Sequence, residues 1–462
     1  MLHFKRSLGM PLAAPSRIRA WPLATLIIIA VNAFAYALTA YENFFSVVSD
    51  YWTGVGGFVP ALMASPDQAY SQAYRILSSM FLHADLFHVF FNMYFLYVFG
   101  RAVEEVLGGR RFSALYLASG VVASVFHTAF SFISGLQAYA VPAIGASGAI
   151  SGVLGAYLML FPGTSLVLWM PFFPLAFLKM KASYYLILWF ATQVIYGYAR
   201  LGGSVAFFAH AGGFVAGMAL LPMLAIKERL HHFKTARSYP WPSYVVLRPF
   251  AKRGLSGATK AIIAVLVASL IIGAACASSG FFVEDDAKVV TVEYTVEGRN
   301  HVDFAVFKLP DVKEQIAKIS SDATRILLSR LEAAGLLYDA SKAGQSISLR
   351  RVEGQVSLIV RGVRVEPRLS IRYLEGTYDR DGFLQYCVGE IQTQVVYISA
   401  HAVSLGAPVD YEFRLESRTA DLALLTQYTG MASLAVAAVA LVVALTKDKD
   451  LALVSEEEPR LW

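Results

Sequence analysis

Charged side chains are scarce in this chain of 462 residues, since Asp, Glu, Lys and Arg make up only 16% of it. A soluble domain usually carries about 25%. Hydrophobic residues make up 56%, which excludes a disordered chain, because disorder requires low hydrophobicity and high charge. Residues 112–178 contain no Asp, Glu, Lys or Arg. A helix crosses the hydrocarbon core of a bilayer with about 20 residues, so the sequence predicts a multi-span membrane protein.

Cysteine is also rare. The two cysteines, Cys276 and Cys387, provide neither a disulfide framework nor the spacing of a metal site. The formal net charge is +6, but no soluble segment carries a basic stripe interleaved with aromatic residues, so we expect no nucleic-acid partner. No metal and no organic cofactor is predicted.

Eight apolar stretches have the length and hydropathy of membrane spans. They lie at about 22–41, 76–100, 112–134, 145–162, 183–200, 204–226, 261–280 and 428–446. The resulting segments are an N-terminal segment (1–21), a six-span core (22–226), a basic linker (227–260), a seventh span (261–280), an α+β domain (281–427), an eighth span (428–446) and a C-terminal tail (447–462).

The distribution of Lys and Arg predicts the orientation of these spans. Residues 281–425 contain 17 basic and 21 acidic residues, a net charge of −4, and the rest of the chain has a net charge of +10. If the N-terminus is cytoplasmic, the inward-facing segments hold 20 of the 22 basic residues outside 281–425. Basic residues favour the cytoplasmic side. We therefore expect cytoplasmic termini, an external α+β domain and residence in the cell (plasma) membrane.

Residues 281–427 have the composition of a soluble domain. Residues 289–296 are rich in β-branched residues and precede a turn, which predicts a strand. Residues 313–337 show helical periodicity ending at Gly335, and 347–365 and 369–373 alternate as strands. The sequence does not define the domain's role: it could recruit substrates, cap a site in the membrane part, or bind a separate protein partner.

Polar residues within membrane spans are costly and indicate function. The second span contains His88 and Asn92, four residues apart and so on one helical face. The fourth span contains Ser147 near its start, and the sixth contains His210. Counted from the inner ends of their helices, Ser147 and His210 lie about 22 and 25 Å deep, at similar levels in a core of about 30 Å.

Small residues would allow these two spans to approach closely. Gly148 and Gly152 follow the serine, and Gly213 and Gly217 follow the histidine, each pair four residues apart. Such small-residue faces let helix backbones pack tightly in membranes. Serine and histidine on helices packed in this way could form a hydrogen bond.

This pairing predicts nucleophilic chemistry. A neutral imidazole that accepts the serine proton makes the hydroxyl competent for acyl transfer. Ser147 also lies at a predicted helix start after Gly145, where free backbone N–H groups could stabilise an oxyanion, with Asn92 and His88 as side-chain donors. No carboxylate is placed to orient His210, and Asp85 better suits a helix cap, so we infer a Ser-His dyad.

These residues resemble those of the rhomboid intramembrane serine proteases, over about residues 22–226. The resemblance rests on four motifs: Gly145-Ala146-Ser147-Gly148; His210 with Gly213 and Gly217; His83-x4-His88-x3-Asn92; and Gly100-x3-Glu104-x3-Gly108. It implies an all-α six-helix bundle with a water-accessible cavity and cleavage of transmembrane helices near their outer ends. It further implies that Ser147 is the nucleophile, His210 the base, and His88, Asn92 and the Ser147 amide the oxyanion hole.

The sequence departs from this family in three places. Many relatives have an aromatic residue four positions after the nucleophile, where this chain has Ser151, so another contact must support His210. The first outer loop, residues 42–74, lacks the family's Trp-Arg pair. Residues 261–462 have no counterpart in the minimal bundle.

Three functions are consistent with these observations. The first is an intramembrane serine endopeptidase whose partners are transmembrane substrates and the lipid bilayer. The second is a non-catalytic rhomboid-like protein that binds client transmembrane helices. The third is a transporter or channel, which has only the number of spans and the intramembrane histidines in its favour, since no inverted repeat is evident.

Overall fold

The structure is a computed structural model that describes residues 21–169, 177–201, 205–236, 254–283, 286–360, 363–398 and 403–456. Most of the predicted N-terminal segment, residues 237–253 of the linker and the last six residues of the tail lie outside the described residues.

The membrane part is helical. Its helices and those of the inserted domain are α1 (Leu23–Ala40), α2 (Asp50–Gly56), α3 (Pro66–Gln72), α4 (Arg75–Ser78), α5 (Leu86–Phe95), α6 (Arg101–Leu107), α7 (Gly109–Ser134), α8 (Ser147–Leu160), α9 (Ala182–Ala199), α10 (Phe207–Leu224), α11 (Lys227–Ala236), α12 (Gly257–Ser278), α13 (Val312–Ile316), α14 (Asp322–Ala333), α15 (Leu422–Thr446) and α16 (Asp448–Leu451).

Six helical stretches in the described part of the chain are long and apolar enough to cross a membrane. They are Leu23–Asn43, Leu86–Leu107, Gly109–Ser134, Phe207–Leu224, Gly257–Ser278 and Leu422–Thr446. The two other predicted spans also contain helices, α8 with 14 residues and α9 with 18. The chain is therefore an integral, multi-pass membrane protein.

The second predicted span begins later than the sequence suggested. We expected it at 76–100, but the helix starts at Leu86 and runs through a π-helical turn (Leu96–Gly100) to Leu107. Asp85 has an extended backbone and its side chain accepts a hydrogen bond from the His88 N–H at 2.8 Å, which caps the helix. The predicted role of Asp85 as a cap is thus correct, and His83 lies before the helix.

Helix α8 occupies the centre of the bundle. All of its residues from Gly148 to Leu160 are buried, and it packs between α7 and α10. A short helix is sufficient at this position because protein, not lipid, surrounds it. The appended helices α12 and α15 pack against each other, and α15 also contacts α7 and α10.

The inserted domain is α+β, as predicted; we call the described residues between 286 and 420 the sheet domain. The chain's strands are β1 (Ser165–Trp169), β2 (Phe177–Lys181), β3 (Ala287–Val296), β4 (Arg299–Phe307), β5 (Ser346–Gln355), β6 (Leu358–Val360), β7 (Val363–Val365), β8 (Arg368–Tyr378), β9 (Leu384–Ile398) and β10 (Val403–Ala420). Six of them form an antiparallel sheet in the order β4-β3-β10-β9-β8-β5. Leu327, Leu328 and Leu331 of α14 are fully buried in its core.

Several predicted elements differ in detail from the structure. The expected helix over 313–337 is two helices, because Ser321 is extended and caps α14 through its side chain. Strands β9 and β10 were not predicted, and the eighth span begins six residues early because Asp421 caps α15. The all-α description of the membrane part omits the β1–β2 hairpin before α9.

The sheet domain contacts the loops that connect the membrane helices. The Gln137 side chain pairs with the backbone of Val306 in β4, with N···O distances of 2.5 and 3.2 Å. At Gly54 in α2, a Cβ atom would lie 2.1 Å from the Val302 carbonyl oxygen. Because a side chain does not fit there, α2 and β4 approach backbone to backbone.

Candidate active site

Ser147 and His210 form a hydrogen bond. Ser147 is the first residue of α8, and His210 lies in the first turn of α10. The His210 Nε2 atom is 2.7 Å from the Ser147 Oγ atom. An imidazole nitrogen at this distance can accept the hydroxyl proton, which is the arrangement that an activated serine nucleophile requires.

Glycines bring the two helices close enough for this bond. A Cβ atom at Gly213 would lie 2.0 Å from the Gly148 carbonyl oxygen, and one at Gly217 would lie 1.8 Å from the Gly152 carbonyl oxygen. Carbon and oxygen do not approach to these distances, so the α8–α10 contact requires glycine at both positions of α10. The four predicted packing glycines thus face one another directly.

Gln193 is a site residue that sequence reasoning missed. It lies on α9, and its Oε1 atom is 2.8 Å from the Nδ1 atom of His210. Its signal was a polar amide within a predicted span, which by itself indicates function.

Many relatives support the catalytic histidine with an aromatic residue where this chain has Ser151. Here His210 is supported by other contacts. The Ser151 hydroxyl donates a hydrogen bond to the Ser147 carbonyl oxygen at 2.6 Å. The ring of Trp189 on α9 lies beside His210, with 6.2 Å between the ring centroids. His210 is therefore held by α9 as well as by its own helix.

His88 borders the same cavity as Ser147. Its Nδ1 atom accepts a hydrogen bond from the Ala84 N–H at 3.3 Å, so the hydrogen of the neutral ring lies on Nε2. That Nε2 is 2.8 Å from the position a Cβ atom would take at Gly145, which has a φ of +124°. A side chain at position 145 would thus collide with the His88 ring, so glycine is required there.

The two other candidate donors to an oxyanion are the Asn92 amide and the Ser147 N–H. The Asn92 amide donates to the His88 carbonyl oxygen at 3.0 Å, and Asn92 borders the same cavity as Ser147. The first N–H to donate within α8 is that of Ile150, to Ala146 at 2.9 Å. The Ser147 N–H precedes it and has no partner within the helix.

His83 has a structural contact beside the site. It is fully buried, and its Nε2 accepts a hydrogen bond from the Ala146 N–H at 3.4 Å, so it holds the loop before the serine.

A cavity of about 520 Å³ borders His88, Asn92, Ser147 and His210. It is lined by Asp85, Phe87, His88, Phe91, Asn92, Phe95, Ser147, Ile150, Ser151, Leu154, Trp189, Gln193, Val205, Phe207 and His210. No described residue of the sheet domain is among them. Among the residues with described positions, no three His, Cys, Asp or Glu side chains are arranged to hold a metal ion.

Comparison with known proteins gives a family for this region. Residues 70–227 match the model of the rhomboid domain. The chain is 34% identical over 146 residues to "Rhomboid protein 1, mitochondrial" of Saccharomyces cerevisiae, which is 31% of this chain and 39% of that protein. It is 31% identical over 147 residues to "Presenilin-associated rhomboid-like protein, mitochondrial" of Bos taurus, which is 32% of this chain and 35% of that protein.

A bacterial relative matches a shorter stretch. The chain is 39% identical over 90 residues to "Rhomboid protease GluP" of Bacillus subtilis, which is 20% of this chain and 16% of that protein. The matches therefore cover less than two fifths of each of these relatives. Residues 70–227, which contain the whole Ser147–His210 site, match the rhomboid domain, so this part of the chain carries a rhomboid domain.

Proposed function

We propose that the protein is an intramembrane serine endopeptidase that hydrolyses peptide bonds in or near the transmembrane helices of other membrane proteins. The observation that carries this proposal is the 2.7 Å contact between Ser147 Oγ and His210 Nε2 at the wall of the 520 Å³ cavity. A family relative named as a protease supports the same reaction.

The first half of the reaction acylates the serine. The Ser147 oxygen attacks the scissile carbonyl carbon while His210 Nε2 takes the hydroxyl proton. The negative charge that develops on the carbonyl oxygen is stabilised by the Ser147 N–H, the Nε2–H of His88 and the Asn92 amide. The tetrahedral intermediate collapses, the C–N bond breaks, and His210 returns the proton to the departing amine.

Water completes the reaction in the second half. A water molecule loses a proton to His210 as its oxygen attacks the acyl carbon, and the ester bond to Ser147 breaks with return of that proton to the serine oxygen. The polar wall of the cavity admits this water. A substrate helix must unwind locally to present one peptide bond, so small or helix-breaking residues are favoured at the cleavage site.

Cleavage of a panel of single-span substrates in proteoliposomes tests the proposal. We expect the parent protein to cut substrates that Ser147→Ala and His210→Ala leave intact. Ser124→Ala is the matched control, because its hydroxyl bonds only within α7 to Gly120. Equal cleavage by parent and Ser147→Ala would refute the serine mechanism, and binding of client helices without cleavage would favour the non-catalytic alternative.

We further propose eight membrane crossings with both termini in the cytoplasm and the sheet domain outside. The support is the asymmetry of Lys and Arg along the chain. We propose the plasma membrane as the location, and the mitochondrial names of two relatives make a mitochondrial membrane the competing one. Fractionation of the source cells distinguishes the two, and labelling of single cysteines from either side tests the orientation.

The sheet domain is proposed to bind a substrate or a protein partner. The sheet domain contacts α2 at Gly54 and the rhomboid domain at Gln137, and none of its described residues lines the cavity. Deletion of residues 261–462 would also remove α15, which packs on α7 and α10. Substitutions on the exposed faces of the sheet, compared across several substrates, therefore test recruitment better than deletion does.

A further inference from the structure

The His210 ring has a hydrogen-bonding partner at each nitrogen. Nε2 faces Ser147 Oγ at 2.7 Å, and Nδ1 faces Gln193 Oε1 at 2.8 Å. An amide oxygen can only accept a hydrogen bond, so the ring nitrogen opposite it must carry the hydrogen. The nitrogen opposite Ser147 is then unprotonated, which is the form that can take the serine proton.

The orientation of the Gln193 amide follows from its other contacts. Its Nε2 atom lies 3.3 Å from the Trp189 carbonyl oxygen and 3.1 Å from the Thr192 hydroxyl oxygen. A carbonyl oxygen accepts only, so the NH₂ group must face Trp189. The amide oxygen therefore faces His210.

The contact between Gln193 and His210 brings a third helix to the site. Ser147 is on α8, His210 on α10 and Gln193 on α9, and Gln193 is 7% exposed. Gln193 borders the cavity, but a water molecule in place of the amide would need several polar partners to hold it opposite Nδ1. Removal of the amide oxygen would thus leave Nδ1–H without an equivalent acceptor.

We propose that Gln193 is a positioning residue that fixes the tautomer and the ring orientation of His210 for the reaction at Ser147. The inference rests on the proposed function. No proton passes to Gln193: when Nε2 takes the serine proton, Nδ1–H continues to donate to Oε1. The dyad is thereby extended by a neutral acceptor where other serine hydrolases use a carboxylate.

Two substitutions separate this role from a structural one. Gln193→Met keeps the length of the side chain and removes the acceptor, whereas Gln193→Glu keeps an acceptor oxygen. Ile195→Ala is the control, because Ile195 is on the same helix and is 56% exposed. With a transmembrane peptide substrate in proteoliposomes, we expect Gln193→Met to lose about tenfold in kcat with KM little changed.

Recovery by the conservative variant completes the activity test. Gln193→Glu should recover most of the lost kcat, and Ile195→Ala should behave as the parent. A parental kcat in Gln193→Met, or a Gln193→Glu variant as slow as Gln193→Met, would overturn the proposal.

A spectroscopic readout tests the inference without turnover. In the full chain labelled with ¹⁵N-histidine, with His210 assigned by comparison with His210→Ala, the parent should show a protonated Nδ1 and an unprotonated Nε2. Gln193→Met should increase the population of the other tautomer. A parent ring protonated on Nε2 would overturn the role of Gln193, whereas a parent that cleaves no better than Ser147→Ala would overturn only the proposed function.

Discussion

Replacement of Gly213 by alanine should break the hydrogen bond between Ser147 and His210. The added Cβ would lie 2.0 Å from the Gly148 carbonyl oxygen, and such contacts require at least 3.0 Å. Helix α10 must therefore move away from α8 by about 1.0 Å at this level. His210 lies one turn away on the same helix, so the 2.7 Å distance to Ser147 grows to about 3.7 Å, beyond hydrogen-bonding range.

Cleavage rate and thermal stability, measured together, test this prediction. Overpacking typically costs about 1–3 kcal/mol of unfolding free energy, so Gly213→Ala should melt earlier in detergent yet remain folded at room temperature. Its cleavage rate should nevertheless fall to the level of His210→Ala. Gly257→Ala is the matched control, because its Cβ would meet no atom within 4 Å. A Gly213→Ala protein with parental rate and melting temperature would refute the packing argument.

Three further perturbations probe the parts around the site. Arg75 is 5% exposed, donates to the Gly54 carbonyl oxygen and lies 5.3 Å from the ring centre of Phe304. Arg75→Ala should cost about 2–3 kcal/mol and speed proteolysis of the α2 loop, and unchanged proteolysis would contradict this. The buried Glu456 carboxylate accepts hydrogen bonds from the start of α12, so Glu456→Ala should lower the melting temperature, whereas an unchanged value would show that this cap is dispensable. Burial raises the pKa of the Cys387 thiol from 9.0 to about 12, so maleimide should not label it at pH 8 in the folded protein. The contribution of this neutral thiol to the free energy of unfolding is complete below pH 9 and is lost as the pH rises towards 12. Rapid labelling at pH 8 would contradict the burial of the thiol.

The helices were predictable from sequence because a long apolar run has few alternatives in a bilayer. A helix is present at each of the eight predicted spans, and the largest errors lie where one capping side chain sets the boundary. Asp85 delays the start of α5, and Asp421 advances the start of α15. Such caps depend on local backbone geometry, which a hydropathy average over many residues does not detect.

The sheet was harder to predict because its pairing is non-local. Strand β10 pairs with β3, which lies more than 100 residues earlier, and with β9 through a register shift between Leu405 and Pro408. That irregularity interrupts the alternation that sequence reasoning uses.

The candidate site was only partly visible in the sequence. Ser147 and His210 could be paired because glycine spacing and depth constrain both helices. The contact of Gln193 with His210 depends on how α9 packs against α10, and a polar amide within a span does not by itself identify the side chain that it contacts. The pairing of these two side chains follows only from the distance of 2.8 Å between Oε1 and Nδ1.

The most direct measurement of the central claim is the location of a fluorophosphonate adduct by mass spectrometry on the folded, full-length protein. An activated serine attacks this probe, whereas an ordinary hydroxyl does not. The account predicts a single adduct on Ser147 that disappears in His210→Ala and persists in Ser124→Ala. An unlabelled Ser147 in folded protein, or labelling that is unaffected by His210→Ala, would contradict it.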